Sequence, residues 1–355
     1  MINHTTDSNL PFRLEGDLPL TFLPLSDSPT DRSLDTLCGW LNANEDWVRE
    51  HLTRHGAFRF RGFAVEGPED FERVARAIDD ELGNDYLGTS PRDAVTDYVF
   101  NASELPDFFP IPQHCEMSFC AKPPRRVFFC CLDEPAEGGG ETPLCDFRKV
   151  WHELPDALRK RFEDGGIRIV RNYAATGGER DDDPTMLKPW TEMFLTSDRE
   201  EVEKICTEEG FETTWLEGGA LRLVSTQPVH RDHPITGEPT WHNHITTFHV
   251  STAASELTRI AALRPTERHQ GLCKIATSLE GRLREQPSDE RSMHCTYRDG
   301  SEFPDDDVEA VRDAVWANTV IEPWRLGDVV AIDNHSVSHG RMPYEGKRRV
   351  VVCWA

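Results

Sequence analysis

The chain has 355 residues, 37% of them hydrophobic, with 63 acidic against 39 basic side chains and a formal net charge of −24. Length and apolar content suit one β-rich domain with a sizeable core and insertions. The acidic balance argues against nucleic acid and anionic membrane surfaces as partners, and no apolar run approaches the length of a membrane span.

Residues 1–33 hold several Pro, Ser and Asp residues and read as an irregular lead-in. Met1-Ile2-Asn3-His4-Thr5 lacks a basic region followed by an apolar core, so no signal peptide is expected. From Ser33, a capping residue type, to about His55 the apolar positions Leu34, Leu37, Leu41, Val48 and Leu52 recur with helical period. Gly56 ends that helix. Ala57-Phe58-Arg59-Phe60 alternates as a strand, and a second helix is expected over about 68–82. From Thr96 onward the pattern changes to short strands, expected at 96–100, 114–120, 125–132, 166–172, 211–216, 219–225, 241–249, 319–322, 328–333 and 347–354. Helical pieces interrupt them near 147–163, 198–209, 252–262 and 305–317. Many short strands predict a sandwich or barrel, with jelly rolls among the options. Residues 173–197, with Gly177-Gly178 and Asp181-Asp182-Asp183-Pro184, read as a long lid-like loop. No repeat or linker divides residues 34–355, which are expected to form one domain.

Ten cysteines spread from Cys38 to Cys353 without a C-x-x-C pair. Cys130-Cys131 lie in an apolar run and read as small buried hydrophobes rather than a disulfide framework. A reduced, soluble, cytoplasmic protein is the expectation.

Three stretches carry chemistry. In His114-Cys115-Glu116 a strand would turn residues i and i+2 to one face and Cys115 to the other. An imidazole and a carboxylate then converge, and with one distant histidine they make the 2-His-1-carboxylate set of non-heme Fe(II) oxygenases. His335 or His339, after the buried strand at 328–333, is positioned to be that third ligand. Arg348-Arg349 opens the last strand, where a guanidinium can fork onto a carboxylate. The glycines of Gly138-Gly139-Gly140-Glu141-Thr142-Pro143 lack the Gly-Lys-Ser/Thr of a phosphate loop, and no Gly-x-Ser-x-Gly elbow is present.

The order of these stretches resembles the taurine dioxygenase (TauD/TfdA) family of Fe(II)- and 2-oxoglutarate-dependent oxygenases. It is similar in particular to the syringomycin-biosynthesis (SyrP-like) amino-acid hydroxylase branch. The resemblance rests on His-x-Glu-Met-Ser at 114–118, Gly-Gly-Glu-Thr-Pro at 139–143 and His-Gly-Arg-x-Pro-Tyr-x-Gly at 339–346. Further echoes are Ser90-Pro91-Arg92, Val170-Arg171-Asn172-Tyr173 and Trp241-His242-Asn243-His244. It implies a mainly β fold with α elements, a double-stranded β-helix (jelly-roll) core with helical packing elements and a lid insertion. It also implies His114, Glu116 and His339 as Fe(II) ligands, His339 being preferred because Gly-Arg-x-Pro follows it directly. Thr142 and Arg348 would hold 2-oxoglutarate, with Arg349 as the alternative to Arg348. Cys115 stands where the family usually has Asn or Thr, and the histidines near Trp241 and at 335 make the pocket more polar than the family pattern.

The implied reaction consumes 2-oxoglutarate and O2 and releases succinate and CO2. Related halogenases have a small residue where Glu116 stands, so hydroxylation of an amino acid or amino-acid-derived intermediate is the first expectation, ahead of desaturation or another C–H oxidation. Asn243, His244 and Ser118 are the candidates for the substrate pocket. The substrate is expected to be a small molecule, either free or an amino acid on a carrier protein. Carrier domains are themselves acidic, and a net charge of −24 favours the free form. Two rival expectations are a zinc site at His242, His244 and His249 and a β-barrel binding protein without oxygenase activity.

Overall fold

The computed structural model describes residues 10–84, 93–103, 105–135, 138–175 and 187–355. The Ser90-Pro91-Arg92 echo and residues 176–186 of the expected lid lie outside that set. Strands are β1 (Phe12–Glu15), β2 (Leu20–Pro24), β3 (Ala57–Phe60), β4 (Phe100–Asn101), β5 (Ile111–His114), β6 (Arg126–Asp133), β7 (Leu144–Asp146), β8 (Ile167–Tyr173) and β9 (Glu212–Trp215). They continue as β10 (Leu221–Gln227), β11 (Arg231–Asp232), β12 (Pro239–Thr240), β13 (Met293–Thr296), β14 (Thr319–Val320), β15 (Val329–Asp333), β16 (Val337–Arg341) and β17 (Arg349–Trp354).

A seven-stranded sheet runs in the order β1-β2-β3-β15-β6-β17-β4, and a four-stranded sheet in the order β14-β7-β16-β5. A further sheet orders β13-β8-β10-β9, and β11 pairs with β12. This is the expected jelly-roll core with helical packing elements. The central strands are buried on both faces, which is why β6 reads as an unbroken apolar run rather than an alternating one. Val127, Phe129 and Cys131 join one core cluster, with Val350 and Val352 of β17 and Leu144 of β7. Phe128 and Cys130 point the other way, into a second cluster with Leu37, Leu52 and Phe71 from the helices Leu34–Ala43, Glu45–His55 and Pro68–Arg76.

Four expectations need correction. Residues 12–24 are not irregular: β1 and β2 extend the large sheet, and Phe12, Leu20 and Phe22 are buried in it. The alternation Phe12-Arg13-Leu14-Glu15 is their signal, short enough to be hidden by the surrounding Pro and Asp. The helix expected over 33–55 is two, because Asn44 leaves helical geometry (φ −130°, ψ 39°) and its side-chain Nδ2 donates back to the Trp40 carbonyl at 2.8 Å. Residues 241–249 form no strand but a short helix, Ile245–Phe248. The helix Glu267–Arg284 was not expected, since it is mostly exposed and buries only Ala276. No helix among the described residues is long and apolar enough to cross a membrane.

Candidate metal centre

The two histidines meet through a strand pair. β5 and β16 run antiparallel with His114 directly opposite His339, the cross-strand position at which side chains interact. Their ring centroids are 4.5 Å apart. Gly340 allows this pairing, because a Cβ there would stand 2.5 Å from the Ile111 carbonyl oxygen.

Glu116 arrives by a different route from the one its spacing predicts. The strand ends at His114, and Met117 takes a left-handed φ of 50°. The 115–120 turn, not strand alternation, brings the carboxylate back, and Cys115 is fully buried. Two side chains pin that turn. The Glu116 N–H donates to Asn334 Oδ1 (2.7 Å), while Asn334 Nδ2 donates to the carbonyls of Glu116 (3.0 Å) and Pro124 (2.8 Å). Arg231 Nη2 donates to the carbonyls of Ser118 (3.0 Å) and Cys120 (2.8 Å).

The outcome is one compact ligand set. One donor atom each from His114, Glu116 and His339 lies within 4.8 Å of the others, and His339 Nε2 is 3.5 Å from Glu116 Oε2. His114 Nδ1 bonds the Pro112 carbonyl at 2.9 Å. That contact places the proton on Nδ1 and leaves Nε2 for a metal, as ligating histidines usually do. Two imidazoles and a carboxylate converging in this way suit Fe(II). His335 does not join them; its ring lies beside those of His233 and His242, each at 5.8 Å. No other group of three potential ligands lies this close among the described residues. In particular, the zinc alternative fails. His242 stacks on His335, His244 bonds Ser118 and His249 bonds Ser251.

The two arginines separate where the last strand begins, Arg348 just before β17 and Arg349 its first residue. Arg349 is exposed and sits opposite Asp133 in the ladder. Arg348 turns inward, donates from Nε to the Gly140 carbonyl at 2.7 Å and lies against the Tyr344 ring. Gly140 (φ 63°) makes that berth: a Cβ would stand 2.7 Å from Arg348 Cδ. Burial, helped by Arg341, pushes the Arg348 pKa down to about 10. No carboxylate pairs with it among the described residues. Thr142, two residues beyond Gly140, accepts from the Trp324 indole at 3.3 Å, and its own O–H has no acceptor among the described residues and can donate.

A cavity of about 200 Å³ opens on His114 and Glu116, walled by Phe109, Ile111, Phe119, Phe248 and Met293 among others. His244 lines it, held through Nδ1 by the Ser118 hydroxyl at 2.6 Å. Asn243 does not line it. Its amide is used up on the main chain, bonding the Val229 carbonyl and the Ile245 N–H. Arg341, from the His-Gly-Arg run, fixes the cavity wall by donating to the carbonyls of Leu105 (3.0 Å), Pro106 (2.6 Å) and Phe109 (2.7 Å). Sequence reasoning assigned Asn334, Arg231 and Arg341 no role.

A family model described as "Taurine catabolism dioxygenase TauD, TfdA family" matches residues 18–354. The chain belongs to this family. It is 30% identical over 327 residues to a clavaminate synthase-like protein of Arabidopsis thaliana, covering 90% of this chain and 87% of that one. It is 28% identical over 305 residues to the dapdiamide synthesis protein DdaC of Enterobacter agglomerans, covering 86% and 83%. Among solved structures, the PvcB protein of Pseudomonas aeruginosa superposes with a TM-score of 0.53 at 14% identity, covering 100% of this chain and 94% of that one. As a TauD-family member the chain is an Fe(II)- and 2-oxoglutarate-dependent dioxygenase that uses O2, and the ligand set above fits that metal.

Two predictions arise here. Asn334→Ala leaves the buried Glu116 N–H without its partner and frees the 115–120 turn. Fe(II) affinity should fall roughly 10- to 100-fold, as for other groups that orient metal ligands. An anaerobic Fe(II) titration measures this at a temperature where circular dichroism shows the variant folded; unchanged affinity would refute the positioning role.

The second concerns acid stability. Burial pushes the pKa values of His242 and His244 well below the ordinary 6.5, and that of His249 to about 2. With folded values depressed, the stability these groups contribute is complete above about pH 6.5 and is lost as pH falls below it. Each contributes a loss of about 1.4 kcal/mol per pH unit until its folded value is reached. The urea midpoint should therefore drop between about pH 7 and pH 5; a flat midpoint would contradict the buried, neutral histidines.

Proposed function

We propose that this dioxygenase hydroxylates an unactivated C–H bond of an amino acid or an amino-acid-derived natural-product intermediate. The observation that carries the reading is the Glu116 carboxylate, 3.5 Å from His339. It occupies the place where a halogenase needs a small side chain, and so favours hydroxylation over halogen transfer. Similarity to DdaC, named for dapdiamide synthesis, supports the natural-product setting.

Iron held by His114, Glu116 and His339 would supply the oxidising chemistry, with 2-oxoglutarate and O2 consumed and succinate and CO2 released. The protein's share is binding and orientation. Arg348, charged and lacking a carboxylate partner among the described residues, is the anchor for the far carboxylate of 2-oxoglutarate, and the Thr142 hydroxyl is a second donor for the cosubstrate. Phe129, on the inner face of β6, packs on His339 with ring centroids 4.9 Å apart. The apolar cavity wall excludes water from the C–H that reacts.

The substrate is proposed to be a free small molecule rather than a carrier-bound one, because the net charge of −24 repels acidic carrier domains. A screen of free and carrier-bound amino acids for stimulated succinate release tests this. A free amino acid that gains one oxygen is the expected result. Product that has instead lost two hydrogens would favour desaturation, and stimulation by carrier-bound substrates alone would overturn the free-substrate reading.

A further inference from the structure

The cavity that opens on His114 and Glu116 has a second carboxylate in its wall. Glu256, on the helix Thr252–Leu263, lines the cavity with Thr252 and Ala253 from the same helix and is only 6% exposed. Its two oxygens accept from one donor, the Trp316 indole N–H, at 3.3 and 3.1 Å. No cation lies within ion-pair distance of it among the described residues. The nearby arginines are committed elsewhere. Arg312 bonds Glu309, Ser251 and Thr252, and Arg259 bonds Glu309 and Asp313. Arg291, also in the cavity wall, bonds Glu302 and His294.

Buried carboxylates are rarely left without a cation, because desolvating an anion is costly unless an opposite charge or several donors replace the lost water. Burial accordingly raises the Glu256 pKa, against the opposing pull of Arg312 and the indole. The remaining cavity wall is largely apolar, and His249, also lining it, is kept neutral by burial. The cavity therefore combines one carboxylate without a cation, largely apolar walls and, elsewhere on its wall, two of the metal ligands, His114 and Glu116.

We propose that Glu256 receives the ammonium group of the substrate, so that the preferred substrate class is a primary amine with an apolar body. This rests on the reading of the cavity as the substrate site. It assigns the carboxylate a specificity role, positioning an amine so that a C–H of the apolar part faces His114 and Glu116.

The test uses the full chain loaded with Fe(II) and 2-oxoglutarate under anaerobic conditions, with binding measured by calorimetry. The probes are L-leucine, L-methionine and L-phenylalanine, the amines formed from them by decarboxylation, and the N-acetyl form of each. At least one free amine should bind about tenfold or more tightly than its N-acetyl form, since acetylation removes the charge that pairs with a buried carboxylate. Glu256→Gln and Glu256→Leu should both abolish that preference. The leucine variant serves as a folding control, because it removes a buried unpaired charge and should melt no lower than wild type. Amines that bind no better than N-acetyl forms in the wild type, or a preference that survives both substitutions, would overturn the assignment. Admitting O2 to the same samples separates the two readings: amine binding without any oxygenated product would count against the proposed hydroxylation and leave the Glu256 assignment standing.

Discussion

Glu116→Ala should reduce succinate release to the background of the metal-free protein while leaving the fold intact. The carboxylate is one of three donors that converge among the described residues, and it is buried at 3% exposure beside His339. Groups that merely orient metal ligands are worth about 10- to 100-fold in affinity, so removal of a ligand itself should exceed about 100-fold. The fold should survive because the hydrogen bonds of residue 116 to Asn334 run through its main chain and remain available to alanine. His339→Ala should behave the same way. His335→Ala should retain iron, since the structure sets that ring among His233 and His242 instead of at the centre. Iron content by mass spectrometry and succinate release with O2 check all three; activity retained by Glu116→Ala would remove the carboxylate from the ligand set.

Arg348→Ala should raise the 2-oxoglutarate concentration needed for half-maximal turnover by about 100-fold, and Arg349→Ala should leave it near the wild-type value. Loss of one partner from a buried charge pair costs about 2–5 kcal/mol, and about 1.4 kcal/mol is a factor of ten. At a pKa of about 10, Arg348 is still charged at neutral pH. It faces inward under Gly140, whereas Arg349 meets solvent at the start of β17. Arg348→Lys should recover only part of the loss, because an ammonium lacks the planar fork that matches a carboxylate. Succinate release titrated against 2-oxoglutarate distinguishes these cases. A shift produced by Arg349→Ala in place of Arg348→Ala would mean that the last strand carries the opposite register.

Much of this centre was legible in the chain itself. His-x-Glu, the glycine run and His-Gly-Arg hold the ligands and the anion clamp in a recognisable order, and the structure brings His114, Glu116 and His339 together. How they meet is not legible in the spacing. Strand alternation would have placed Glu116 beside His114, yet the chain leaves the strand at once, and a turn held by Asn334 and Arg231 does the work. Those anchors come from 218 and over 100 residues away, and no local pattern announces so distant a hydrogen bond. Asn243 looked like a pocket residue from its neighbours but serves the main chain, as buried Asn commonly does. The polar stretch at 241–249 alternates well enough to pass for a strand; what decides for a helical turn is the Asn243 bond to the Ile245 N–H. Glu256 carries no signal in sequence at all, because a glutamate on an amphipathic helix is ordinarily solvated and only packing shows it buried.

The central claim is that three side chains from two distant stretches of the sequence hold one ferrous ion. Anaerobic titration of Fe(II) into the wild-type chain and the His339→Ala variant tests it most directly. Near-stoichiometric uptake by the wild type, and loss of that uptake in the variant at unchanged circular dichroism, is the predicted result. A wild-type chain that takes up no iron, or a variant that binds it equally well, would contradict the account.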